Sequence, residues 1–185
     1  MSKLDDLRQQ IDKIDDQLIK LINRRGLLAQ NIGEEKSLQG KATHFHVPQR
    51  ERAILERLSD QSKGPFPSSS INSIFREIFS ATLALEKPLK IAFLGPDTTF
   101  SHQVAIKHFG HSCKFNPCAN IESVFTEVEL GNSDYGVVPV ENSIEGVINR
   151  TLDCFVDSPL HICDEAQLAI SLYLLSSTAD PKKIK

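Results

Sequence analysis

The stretch from Leu4 to Lys36 constrains this chain more than any other. Leu4, Leu7, Ile11, Ile14, Leu18, Leu21, Leu28 and Ile32 recur at alternating spacings of three and four, which lays them along one face of a long helix. A stripe of that length cannot bury itself, so the helix demands a partner helix. One position breaks the series. Arg25 stands where the spacing asks for a Leu or Ile, and a guanidinium facing a packed seam is costly unless something anionic meets it. No Asp or Glu occupies the neighbouring seam positions, so its partner lies elsewhere in the fold or on a ligand. Lys36 comes eleven residues later, nearly back on the same face at ~3.6 residues per turn.

Arg8 sharpens the problem. It precedes Arg25 by 17 residues, roughly 26 Å along one helix at ~1.5 Å per residue. One small ligand cannot be held by both from the same helix. A second copy running antiparallel would bring Arg8 of one chain opposite Arg25 of the other. The competing reading makes Arg8 a solvated surface charge and lets Arg25 snorkel out of a bundle.

Bulk properties narrow the function classes. A chain of 185 residues holds one large domain or two small ones, and 40% hydrophobic with 24% charged residues is an ordinary globular balance. A net charge of −3 argues against a nucleic-acid surface, so any basic cluster is local. The start MSKLDDLRQQIDKIDD is charged and amphipathic rather than secretory, and no apolar run reaches the ~20 residues of a membrane helix. Cys113, Cys118, Cys154 and Cys163 lack zinc-type spacing and read as free thiols of a cytoplasmic protein. His44-x-His46 and His108-x-x-His111 read as surface histidines, the first pair in a polar loop and the second at a helix end, and no metal site is expected.

After the first helix, GEEKSLQGKATHFHV is a breaker-rich connection, with Gly33 near the helix end and Gly40 in the loop. Pro48 opens a second helix, PQRERAILERLSDQ, with Ile54, Leu55 and Leu58 as its apolar side. Arg50 and Glu51 lie one turn ahead of that cluster and either point across at whatever it packs on or form an exposed charged turn. KGPFPSSS is a loop, and Ser70 is the expected N-cap of a third helix carrying Ile71, Ile74, Phe75, Ile78 and Phe79, then Thr82, Leu85 and Glu86, ended by Pro88. Thr82 and Glu86 share a face one turn apart. Three helices that each turn polar near one end suggest a shared pocket, with cations from the first and Glu51, Thr82 and Glu86 from the others.

At Leu89 the period changes. KIAFLG reads as a buried strand, TTFSHQVAIKHFG as a helix with hydroxyls at its start, and CKFNPC as a weak strand. NIESVFTEVELG is an amphipathic helix closed by Gly131, and SDYGVVPV is a second clear strand leading into ENSIEGVINRTLDCFV. Strand and helix in alternation argue for an α/β lobe with parallel strands, so the fold class is α followed by α/β. The loops GPDTTFS and VENS fall at carboxyl ends of strands, where such sheets bind ligands. Hydroxyls and N–H groups at a helix start suit an anion, although Ser and Thr there also serve as plain caps.

With these residues assembled, the chain closely resembles the bifunctional chorismate mutase/prephenate dehydratase family of phenylalanine biosynthesis. LRQQIDKIDDQLIKLINRR, GEEK, PQRER and IFREIFSATLALEKP carry the first likeness, and IAFLGPDTTFSHQVA, SDYGVVPVENSIEGVIN and ISLYLL the second. The resemblance implies an all-helical, three-helix chorismate mutase domain over residues 1–87, interlocked as a homodimer through the first helix. It further implies an incomplete amino-terminal part of a prephenate dehydratase domain over 90–185, an α/β lobe of the periplasmic-binding-protein-like type. Chorismate and prephenate are then the ligands, and no cofactor is implied. By resemblance, Arg8 of the partner chain and Arg25 hold the two carboxylates of chorismate, Lys36 faces the ether oxygen of the breaking bond, and Glu51 takes the ring hydroxyl. Arg50 and Thr82 line the site. Glu86 stands where members carry Gln or Glu against that ether oxygen, and Val47 replaces a polar contact that some members have. A Claisen rearrangement is unimolecular and needs no proton transfer, only a folded substrate and stabilised charge on the ether oxygen. A carboxylate at Glu86 would repel that oxygen, so Glu86 is expected to act protonated.

The second half departs from the family pattern. Asp97-Thr98 precede Thr99-Phe100 where the usual motif has a glycine, which puts the loop geometry in question. Thr99, Ser101, Glu141, Asn142 and Ser143 match substrate-binding motifs and would line part of a cleft. The catalytic Thr-Arg-Phe motif and the phenylalanine-sensing ACT domain of the family do not occur before Lys185, so mutase activity without competent dehydratase is the expectation. Three rivals stand against it. One is an isochorismate pyruvate-lyase of the same helical fold. Another is a binding module with a helical dimerisation device and a small-acid-sensing lobe. The last is a truncated gene product with an unstable second half.

Overall fold

The computed structural model describes residues 2–39, 48–144, 146–171 and 175–176. Gly40, His44, His46, Val47 and half of ISLYLL lie outside them. Helix α1 spans Lys3–Leu38, α2 Pro48–Gln61 and α3 Ser68–Glu86. Ser2 opens α1 with a reciprocal cap: its hydroxyl accepts from the Asp5 N–H while the Asp5 carboxylate accepts from the Ser2 N–H. The seam residues of α1 face outward in the single chain, from Leu7 at 48% exposure to Leu21 at 61%. What α1 buries is the pair Gly26 and Gly33. α3 packs there, while α2 packs on α3 rather than on α1.

Gly33 therefore does not mark a helix end. The helix runs a turn beyond it, because the missing side chain is filled by α3 and the Gly33 carbonyl still accepts from the Ser37 hydroxyl at 3.0 Å. Ser70 likewise is not the N-cap of α3. Pro67 holds that place without a side-chain bond, and Ser70 donates its N–H to the Pro67 carbonyl inside the first turn.

From Lys90 the chain becomes a three-stranded parallel sheet in the order β2-β1-β3, with β1 at Lys90–Leu94, β2 at Lys114–Cys118 and β3 at Tyr135–Val137. Helices α4 (Phe100–Phe109) and α5 (Ile121–Glu129) make the crossovers. Alternation along β1 sets the two faces: Ile91 packs with Leu89 and Ala105, and Ala92 packs with Cys118 and Val124. The expected strand SDYGVVPV pairs only over Tyr135–Val137, since Pro139 has no N–H to give a ladder. A hairpin of β4 (Glu141–Asn142) and β5 (Gly146–Val147) comes next, with the Asn142 side chain accepting from Ile144 N–H and Gly146 at φ +80°, and α6 (Asn149–Asp157) follows.

α3 belongs to both halves. One side meets α1; the other is gripped by the α/β lobe. Leu83 joins the cluster around Ile91, Arg76 donates to the Lys107 carbonyl at 2.8 Å, and the Ser80 hydroxyl accepts from Ser112 N–H at 3.1 Å. Gly110, at φ +77°, makes this approach possible: a Cβ there would fall 2.5 Å from that of Ser80.

Candidate active site

Polar side chains of α1 and α3 meet where the two helices pack. Arg25 donates from Nη1 to the Thr82 hydroxyl at 2.7 Å, and Thr82 passes its own hydrogen to the Ile78 carbonyl at 2.6 Å. The hydroxyl is thereby oriented with a lone pair toward the guanidinium. Phe79, 4% exposed, lies beneath, with its ring centre 4.9 Å from the Arg25 Cζ. The partner of the seam cation thus lies elsewhere in the fold, as a hydroxyl and an aromatic face. Burial pulls the Arg25 pKa down, the Glu51 carboxylate raises it, and the Arg50 guanidinium lowers it again. Glu51 and Arg50, on the first turn of α2, are thus near enough to act on the Arg25 charge.

One turn along α3 from Thr82, Glu86 folds against the backbone of α1 at Gly33. Burial raises its carboxyl pKa, and the Lys36 ammonium works in the opposite direction. Burial outweighs the ammonium, so the neutral acid is favoured more than for a free Glu. Arg25, Lys36, Arg50, Glu51, Thr82 and Glu86 are brought to one end of the bundle. Arg8 is not among them. It is exposed, 4.0 Å from Asp5, and sits about 26 Å up α1 at ~1.5 Å per residue.

In the α/β lobe, β1 and β3 are parallel neighbours, so the loops that follow them emerge at one edge of the sheet. The first carries Thr99 and Ser101. Thr99 caps α4, accepting from His102 N–H at 3.3 Å, and donates to the Leu94 carbonyl at 3.0 Å. Ser101 is half-buried on the first turn of α4. The second loop carries Glu141, Asn142 and Ser143, all exposed on the hairpin. Thr98, in the place of the usual glycine, adopts φ +71°. The backbone keeps a left-handed turn that a β-branched side chain takes only under strain. His102 braces it. Its Nδ1 accepts from Thr98 N–H at 3.0 Å while its ring stacks on Phe93 at 4.5 Å. Sequence reading misses three contributors: Gly33, which reads as a helix end; Phe79, which reads as plain core; and His102, a helix residue whose only clue is its place one turn after the loop.

Two family models match, chorismate mutase type II over residues 7–87 and prephenate dehydratase over 91–185. The chain belongs to the bifunctional chorismate mutase/prephenate dehydratase family. A bifunctional chorismate mutase/prephenate dehydratase of Aquifex aeolicus is 48% identical over 96% of this chain and 50% of its own length. One from Pseudomonas aeruginosa is 44% identical over 91% of this chain and 47% of its own. A solved chorismate mutase from Thermus thermophilus is 34% identical over 46% of this chain and 96% of that one, with a TM-score of 0.44. The chain spans about half the length of the family relatives it matches. Among the described residues, no helix is long and apolar enough to cross a membrane.

Proposed function

We propose that residues 1–87 form a chorismate mutase that converts chorismate to prephenate by Claisen rearrangement. The observation that carries this reading is the convergence of Arg25, Thr82, Glu86, Lys36 and Glu51 at one bundle end, within the segment matched by the chorismate mutase type II model. Chorismate brings two carboxylates. Arg25, oriented by Thr82 and Phe79, grips one of them by a charge-assisted fork. Glu51, half-buried on α2, accepts from the ring hydroxyl, and Arg50 extends the cationic rim. As the ether bond lengthens, negative charge grows on its oxygen; Lys36 supplies a cation and neutral Glu86 a hydrogen-bond donor. The reaction stays within the substrate, so the site acts by holding shape and placing charge.

The second carboxylate needs a second guanidinium, and Arg8 of another copy supplies it. This is the reading in which α1 pairs antiparallel with itself, its exposed apolar seam forming the homodimer interface. The lobe over residues 90–185 contributes one wall of a prephenate-binding cleft, with Thr99 and Ser101 from the first loop and Glu141, Asn142 and Ser143 from the second. We infer a cytoplasmic enzyme, in keeping with Cys113, Cys118, Cys154 and Cys163 as free thiols. The test is chorismate depletion with light scattering on the same sample. Conversion by a dimer supports the reading; unchanged chorismate refutes the enzyme, and conversion by a monomer refutes the shared site.

A further inference from the structure

Glu86 reaches the pocket only because position 33 has no side chain. A Cβ built on Gly33 would lie 2.8 Å from Glu86 Oε2, 2.9 Å from Cδ and 3.2 Å from Cγ. The first two are closer than real Cβ contacts come, and the atoms to be displaced are the carboxyl end of one flexible side chain rather than backbone. Glycine in the interior of a long helix is a poor helix former, so its presence in α1 calls for such a reason. The same buried face of α1 carries Gly26, where an added Cβ would meet only Leu85 Cδ1 at 3.3 Å. The two glycines therefore differ in what they admit: one a methyl, the other a carboxyl group.

We propose that Gly33 is a positioning residue of the mutase site, whose bare backbone seats the Glu86 carboxyl against α1 and shields part of it from water. The inference rests on the mutase reading and names a part of its machinery. The charged group that acts on the seat is Lys36 on α1; Lys87, the next residue along the chain, is drawn away to Asp134 at 3.3 Å. Lys36 favours the carboxylate, and burial against α1 opposes it and prevails. A methyl at position 33 removes the burial and leaves Lys36 in place, so the carboxyl swings outward and ionises more readily.

The experiment compares Gly33→Ala and Gly26→Ala with the native chain by thermal melting, by carbon-13 NMR titration of Glu86, and by the pH dependence of turnover. Alanine is the better helix former, so both variants are expected to melt at or above the native temperature. In Gly33→Ala the Glu86 titration moves to lower pH, and kcat near neutrality falls on the order of 10²-fold through the displaced group. Gly26→Ala leaves the Glu86 titration where it was. A Glu86 titration unmoved by Gly33→Ala overturns the proposal. Because the NMR readout needs no turnover, it stands even if native protein leaves chorismate unchanged, an outcome that refutes the mutase reading alone. If Gly33→Ala melts well below native, a Gly33→Ala, Glu86→Ala double variant decides. Recovery of the melting temperature there shows that the carboxyl was the obstacle, and continued loss overturns the inference.

Discussion

Replacing Arg25 with leucine separates what this residue does for the fold from what it does for the site. In the native chain its charged N–H to the Thr82 hydroxyl at 2.7 Å contributes about 1.5 kcal/mol. Its cation–π contact with Phe79 at 4.9 Å adds about 0.5–1 kcal/mol at a half-exposed position. Against these stands the desolvation of the guanidinium, several kcal/mol for a fully buried ion and about 2 kcal/mol for one half-buried. Leucine restores the apolar series of α1 and regains about 1 kcal/mol of contact with Phe79. Thr82 is not orphaned, because its hydrogen remains on the Ile78 carbonyl at 2.6 Å. Glu51 loses a counter-charge but is reached by water, which limits that cost to about 1 kcal/mol. The expected net change lies between none and a loss of about 0.5 kcal/mol, a downward shift of at most ~2 °C in a chain of this size. Turnover of chorismate should fall about 10²–10³-fold, the cost of one missing charge-stabilising donor. Chorismate depletion and a thermal melt on the same preparation check both halves. Turnover within tenfold of native, or a destabilisation beyond ~2 kcal/mol, would refute the reasoning.

Further outcomes follow from other residues. Glu86→Gln keeps the donor and removes the titration: native activity should decline as pH rises through the raised Glu86 pKa while the variant stays flat, and parallel declines would sink the neutral-acid role. A carboxyl pKa raised by folding contributes stability that is present at low pH and is lost as pH rises through the folded-state value. Glu86→Gln should therefore gain on native in urea melts as pH moves up from the ordinary carboxylate range. Thr98→Gly relieves a left-handed β-branched residue at φ +71° and should stabilise by about 0.5–1 kcal/mol after the entropy of the added glycine is subtracted. A loss of more than ~0.5 kcal/mol in the urea midpoint would show that no strain resides there. Gly110→Ala places a Cβ 2.5 Å from that of Ser80, at a positive φ and against a rigid helix. It should cost about 2–4 kcal/mol and loosen α3 from α4, seen as faster proteolysis between residues 87 and 114. Native-like resistance would contradict that packing.

How much of this is legible in the chain follows from what each signal depends on. Periodicity is local, so the three helices, the parallel strands and the polar end of each helical stripe can be read directly: Arg25 out of series, Lys36 on the same face, Thr82 and Glu86 a turn apart. The family motifs add the pairing of these residues with one substrate. What sequence cannot supply is the distance between elements. Gly33 looks like a helix end because a glycine in a polar run is ambiguous until a neighbouring helix fills its empty side. Phe79 looks like core because only the packing of α1 on α3 sets its ring beneath a guanidinium. The hairpin after β3 depends on one positive-φ glycine and one side-chain turn, both invisible to a period count. The sequence by itself determined which elements form and which of their ends are polar, since those are properties of consecutive residues. Only the tertiary structure decided which polar end meets which and how closely, since that depends on where two helices leave room for each other.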